Sequence, residues 1–349
     1  LLRVLRRDRG MRPRTGITLW KSLIRPKLEY ACEIWNGQVS AARVARAEAV
    51  QLRFIRGMLG LHDKGSGVSN EVVRAEVGCE SLQCRWDKLQ LGYWQRIYHS
   101  PPNRLLRVVA EFRRREWVAS AGRGLGGRGC MQHFNRLLLA AKLGSFWGQP
   151  SAAARLGKGS WKKRVYTEVD RLHDDRRAQR MSTMSSAEAY VGMKEWGANE
   201  EKYSFSRGGR GKLGHQVPDR YLDDRVNLKG TRLKMLCRLG CLPLLDRVGR
   251  EAKPKLQPEM AVCLACSSGA VESIKHLVMD CPAYATRRHT LMQQVGRAAD
   301  RAGVAFAALP PEEQFLLLLG KRVDDPVLEN RVDWQVKNSF VRAGQNGSQ

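Results

Sequence analysis

The sequence predicts a mainly α-helical chain carrying one small metal-built segment and flexible Gly/Arg loops. Apolar residues recur at helical spacing in one segment after another, while alternating apolar/polar runs and hairpin signals are almost absent. Four residues of metal-ligand type fall in order between Cys263 and Cys281. Two stretches, AGRGLGGRG at 121–129 and SRGGRGKLG at 206–214, mix Gly with Arg as basic loops do.

Taken in order, Thr15 to Trp35 predicts a helix interrupted at Pro26, with Ile17, Trp20, Leu23 and Ile24 on one face and Leu28, Ala31 and Trp35 continuing it. Ser40 is placed to cap a second helix reaching about Leu61, whose buried stripe is Val44, Ala47, Phe54, Ile55 and Met58. HDKGSGVSN is a loop. Asn70 to Val77 is a short helix ended by Gly78. Ser81 to Tyr98 is a longer one, with Leu82, Trp86, Leu89, Tyr93 and Ile97 at helical spacing before Pro101-Pro102 stops it. Arg104 to Val118 is a basic helix, and Gly144 to Ser160 is expected to be poorly ordered. Trp161 to Leu172, Ser186 to Trp196 and Arg220 to Leu239 are helical, the last with Gly230 as a weak point. Lys253 to Pro258 links to the cysteine segment. Helices follow at Tyr284 to Ala302, Glu312 to Leu319 and Leu328 to Val341.

At 349 residues the chain is long enough for two or three domains, and 43% hydrophobic residues can build a core. Lys and Arg number 61 against 34 Asp and Glu, a formal charge of +27. That excess predicts a polyanionic partner, RNA and/or DNA. A membrane-surface role lacks an amphipathic lipid-facing helix, and the most apolar run, Phe315 to Leu319, is far short of the roughly 20 residues a span needs. Nine irregularly spaced cysteines with no secretory signal fit an intracellular, reducing compartment. The chain opens on Leu1 rather than Met, as a piece of a longer product does.

Cys263, Cys266, His276 and Cys281 form C-x2-C-x9-H-x4-C. Two cysteines two residues apart turn both thiolates toward one ion, and a His followed by a Cys about one helical turn later completes a tetrahedron. Zn2+ prefers that N/S set, and a Cys3His site is closed and structural, so no catalytic role is expected of the ion. The alternatives are free cysteines with a surface His, or His289 in place of His276.

LWKSLIRPKLEYACEIWN (Leu19 to Asn36), followed by AVQLRFIRGMLGL (Ala49 to Leu61), resembles the thumb region after the palm in reverse transcriptases of non-LTR, LINE-type retrotransposons. LKMLCRLGCLPL (Leu233 to Leu244) is similar to the stretch before that family's C-terminal cysteine segment. The cysteine segment, with Glu272, His276, CPAY, Arg287 and Arg288, is similar to the family's zinc knuckle. The resemblance implies a thumb-like helical region (1–120), a helical connector (161–250) and a CCHC zinc knuckle (251–290); composition and periodicity add a flexible Gly/Arg-rich linker (121–160) and C-terminal helices (291–349). It implies that Lys21, Arg25 and Lys27 face a template–primer duplex and that Arg287 and Arg288 contact phosphates beside the knuckle. Fingers and palm, with the catalytic aspartates, are expected N-terminal to Leu1, so no catalytic residue is assigned. For a part of an active element, the nucleus is the expected location. The alternative is a stand-alone zinc-knuckle protein that binds RNA or acidic partners without catalysis.

Other constellations carry less. Tyr221-Leu222-Asp223-Asp224 spells the palm signature Y-x-D-D, but it follows the thumb-like segment, reads as a loop entering a basic helix, and has no third aspartate on an earlier strand. Both G-x-G-x-x-G matches, at Gly122 and Gly209, lack a preceding strand. Arg3 to Arg14, Arg104 to Arg115 and Lys162 to Arg180 offer phosphate contacts. Trp20, Trp35, Trp86 and Trp94 sit at core spacing, as do Cys237 and Cys241. Asp325, Asp333 and Lys337 loosely match a nuclease triad, but on a helix rather than on strands.

Overall fold

The computed structural model describes residues 13–61, 68–121, 129–183, 190, 220–223, 228–251, 257, 260–301 and 304–320. Helix α1 (Pro13–Leu19) runs into a π-turn (Trp20–Ile24) and then α2 (Arg25–Glu29). Pro26 does not interrupt this run. It sits in the first turn of α2, and the turn before it widens, with the Arg25 N–H donating to the Trp20 carbonyl five residues back. The break comes later, at Ala31, which takes φ +54° ahead of α3 (Cys32–Trp35). Helix α4 (Ala41–Leu59) buries Phe54, Ile55 and Leu59 and ends at Gly60, φ +71°. Ser40 occupies its N-cap position, but its side chain makes no cap bond.

Helix α5 (Asn70–Glu76) is capped by Ser69 and followed by Gly78 at φ +58°. Helix α6 (Leu82–His99) begins where the Ser81 hydroxyl accepts the Cys84 N–H, a cap worth about 1 kcal/mol. This helix serves two cores. Leu82 and Trp86 join Trp20, Phe54 and Val73 in the first, while Leu91, Trp94, Ile97 and Tyr98 enter the second.

The second core is built by α7 (Leu105–Ala121), α8 (Cys130–Ala140), α9 (Ser145–Gly148), α10 (Pro150–Arg155) and α11 (Gly157–Ser182). The expectation of a linker over 121–160 and of poor order at 144–160 is therefore corrected: the described residues from Gly129 on are helical, with only short turns between. Leu137, Leu138, Leu143, Phe146 and Ala153 pack against Trp94 and Trp161, so burial outweighs the local Gly content. Trp94 stacks on Trp147 at 5.3 Å, and the Trp161 indole N–H donates to the Leu91 carbonyl at 2.9 Å. Trp20, Trp86 and Trp94 are core residues as expected, and Trp35 lies edge-on to Trp86, half-buried.

A 3-10 turn (Arg220–Asp223), α12 (Leu228–Arg238), α13 (Leu245–Glu251), α14 (Ala285–Asp300) and α15 (Pro311–Leu319) follow, and all but α13 supply buried residues to the first core. Gly230 sits buried within α12 and does not break it. The first core draws on residues from Ile17 to Leu319, and α11 crosses both cores, with Met181 in the first and Val165 and Val169 in the second. Consecutive blocks of sequence are thus not separate packing units.

Buried charge fastens the first core. Glu76 accepts from Tyr190 at 2.6 Å, from Arg238 Nε at 2.9 Å, and from Tyr221. Arg238 Nη1 reaches the carbonyls of Leu319 and Gly320, closing α12 onto the end of α15. Among the described residues no helix is long and apolar enough to cross a membrane.

Candidate metal centre and basic residues

The cysteine segment begins as a tight antiparallel loop. Val262 pairs with Val271, the Cys263 N–H donates to the Ala270 carbonyl at 2.8 Å, and Gly269 turns the chain at φ +69°. Such a loop brings Cys263 and Cys266 to one side. The other two ligands bracket a π-turn, His276–Asp280, in which the Cys281 N–H donates to the His276 carbonyl at 2.7 Å. A π-turn, rather than the ordinary α-turn the spacing suggested, spaces His276 and Cys281 five residues apart on one edge.

The four ligand atoms lie within 4.8 Å of one another. Cys263 Sγ is 3.9 Å from Cys281 Sγ, and Cys266 Sγ is 3.4 Å from His276 Nε2. Metal–sulfur bonds of ~2.3 Å in a tetrahedron place sulfurs roughly 3.8 Å apart, so the spacing suits a single ion. Cys263, His276 and Cys281 are buried and Cys266 is half-exposed. The Cys266 thiol is lowered to about 6, first by hydrogen bonding from the Ser268 hydroxyl and backbone, against the cost of desolvation, with His276 helping. A thiol that ionises readily is the form that ligates. The Cys3His group can bind a metal ion.

The loop is not free-standing. The Glu272 carboxylate accepts the Leu245 N–H at 2.8 Å at the start of α13, Lys275 pairs with Glu312 at 2.5 Å, and Val278 enters the first core. His289 is exposed and faces Gln293 at 2.9 Å, outside the ligand ring.

A second trio of ligand types, Glu80, Cys84 and Asp170, also converges within 4.8 Å. Lys88 already occupies it, with its ammonium 2.6 Å from Glu80 and 2.5 Å from Asp170. Burial works against that charge, yet Cys84, Asp170 and Glu80 hold the Lys88 pKa above the ordinary lysine value. This cluster escaped sequence reasoning because Cys84 and Asp170 are 86 residues apart; no local spacing signals it.

The five residues expected to meet nucleic acid are not equivalent. Lys27 and Arg287 are exposed. Lys21 and Arg25 are half-buried at a cleft, and Arg25 Nε lies 3.3 Å from Glu29. Arg288 turns inward, donating to the Cys281 carbonyl at 2.9 Å, which fixes the end of the ligand loop and takes part of its guanidinium away from phosphate.

Tyr221 and Leu222 of the Y-x-D-D match are buried on a 3-10 turn, with the Tyr221 hydroxyl on Glu76. That is a packing role; Asp224 and the segments flanking the turn lie outside the described residues. Cys237 and Cys241 are buried core thiols, Cys237 being pushed up to about 12 by burial. The Gly/Arg stretches at 122–128 and 206–214, the helix expected over Ser186 to Trp196 apart from Tyr190, most of Arg3 to Arg14, and Asp325, Asp333 and Lys337 lie outside the described residues.

No family model, curated protein or solved structure matches this chain.

Proposed function

We propose that this chain binds nucleic acid through a zinc-built knuckle and basic helices, as the C-terminal part of a LINE-type reverse transcriptase whose palm active site lies elsewhere in the parent polymerase. One observation carries the reading: Cys263, Cys266, His276 and Cys281 converge with tetrahedral spacing, in the order and context of the knuckle that this stretch resembles. Three thiolates and one imidazole favour Zn2+ over harder ions. The ion would hold the loop shape, while exposed Arg287 in the first turn of α14 and Lys27 at α2 supply phosphate contacts. The +27 charge supports a polyanionic partner. The chain's own part is to hold template RNA or target DNA, in the nucleus if the parent element is active.

Zinc stoichiometry paired with a salt-dependent RNA and DNA titration tests this on the intact chain and on Cys263→Ser/Cys266→Ser. One zinc per chain, lost in the variant together with part of the affinity, is the expected result, with binding that weakens steeply as salt rises. Absence of zinc together with salt-insensitive or undetectable binding would sink the reading.

A further inference from the structure

A cleft of about 400 Å³ opens between the π-turn of Trp20–Ile24, the loop before α6 and the N-terminal half of α11. Its lining holds Lys21, Arg25, Arg85, Lys88, Lys162 and Lys163, against only two carboxylates, Glu80 and Asp170. Lys88 is consumed by those two acids. Arg25 and Arg85 share a single carboxylate, Glu29, at 3.3 and 3.0 Å. Neither Lys21 nor Lys162 has a carboxylate partner among the described residues, so the cleft keeps a positive excess after its internal pairs are counted.

Three further features shape what would fill it. Ser81 and Leu82 bring the N-terminus of the 18-residue α6 to the wall, adding the positive end of a helix dipole. Tyr166, the lining's aromatic residue, already carries the Lys88 and Lys162 ammonium groups over its ring, at 4.9 and 5.7 Å, and its hydroxyl receives Arg85 at 2.8 Å. It therefore offers no vacant platform for a base. The lining cysteine, Cys79, is buried with its thiol raised to about 11, so it is not a nucleophile. The volume falls within the range of small-ligand sites, at roughly 300–1,000 Å³.

We infer that this cleft binds a compact polyphosphate, recognised by charge rather than by base, with Lys21 and Lys162 as principal phosphate contacts and Arg25, Arg85 and Lys163 around them. The site is separate from the cysteine segment. A free polyphosphate and the triphosphate end of a nucleotide share the chemistry; an internal phosphodiester, with its ribose and base, does not match a cleft with no stacking surface.

Calorimetric titration of the intact chain with inorganic tripolyphosphate tests the site, with ATP and a 5′-hydroxyl RNA oligonucleotide as competitors. Saturable one-to-one binding is expected, weakened about tenfold by Lys21→Ala and at least as much by Lys162→Ala/Lys163→Ala, as the loss of a charge-assisted contact predicts. Arg43→Ala, an exposed cation on α4 outside the cleft lining, should leave it unchanged. ATP should compete and identify the triphosphate end as an accepted source; failure of ATP alone would mark the free anion as the ligand. No saturable binding, equal loss in Arg43→Ala, or equal competition by the 5′-hydroxyl RNA overturns the inference. The probe carries no base and its readout needs no zinc, so the result stands or falls apart from the knuckle reading. Lys162 and Lys163 are exposed on α11, so their variants fold if the chain does.

Discussion

Two clusters in this molecule each gather metal-ligand atoms within 4.8 Å of one another, and they are chemically opposite. Around Glu80, Cys84 and Asp170 the protein supplies its own cation, since Lys88 lies between the two carboxylates. Around Cys263, Cys266, His276 and Cys281 no ammonium or guanidinium group bonds to a ligand atom among the described residues; Arg288 approaches only the Cys281 carbonyl. Convergence of ligands therefore does not make a metal site. What separates the two is whether the charge that ionised ligands would carry is already balanced by a side chain.

The largest effect that tests this contrast is expected from Cys281→Ser. It removes a fully buried ligand, and it should abolish stoichiometric zinc and cost about 5 kcal/mol or more, because structural metal binding is folding energy. Metal analysis with denaturant unfolding measures both, and a variant that keeps its zinc would break the comparison at its first term. Next, Lys88→Met strands two carboxylates without their cation. A loss of about 3–5 kcal/mol is expected in urea unfolding. The same variant sharpens the contrast: if added zinc restores its stability, proximity alone is sufficient and Lys88 merely excludes the ion.

A smaller effect, about 1 kcal/mol, is expected from Ser81→Ala, which removes the hydroxyl accepting the Cys84 N–H at the start of α6. Lys88 occupancy of the cluster should survive it, so a much larger loss would mean that the cap also positions Lys88. The smallest concerns Glu111, whose carboxyl is held at about 2, from 4.5, chiefly by a hydrogen bond from Arg114 with Arg115 and Tyr98 assisting. A depressed carboxyl contributes stability above its unfolded value near 4.5, and that contribution is lost as pH falls through about 2. The group is partly exposed, so the contribution is about 1 kcal/mol or less. Melting of wild type and Glu111→Gln should differ near pH 5 and converge near pH 2; a constant gap would contradict the ion-pair cause.

The helices of this chain were largely legible because helical period is a local property. Phe54 and Ile55 on α4, and Leu82, Trp86 and Ile97 on α6, could be placed on buried stripes from spacing alone. The linker expectation at 121–160 failed because glycines were weighed as breakers while Leu137, Leu138 and Phe146 were not weighed as partners of Trp94 and Trp161. Pro26 does not break the run for a related reason: a π-turn precedes it, and it sits in the first turn of α2, where its missing N–H is tolerated. The ligand set was legible because its spacing is short and its residue types are few. Arg288 was not, since its contact is with a carbonyl that only the folded loop presents.

By itself the sequence determined the mainly helical fold, the ordered set Cys263, Cys266, His276 and Cys281, and the strong positive charge. Each is set by residue identity and near-neighbour spacing. Tertiary structure alone decided that α6 is shared by two cores, that Lys88 fills the second cluster, and that Lys21 and Arg25 line a cleft while Lys27 stands outside it. Burial and charge pairing depend on which distant segments meet, and that follows from the packing of the whole chain, which no local window contains.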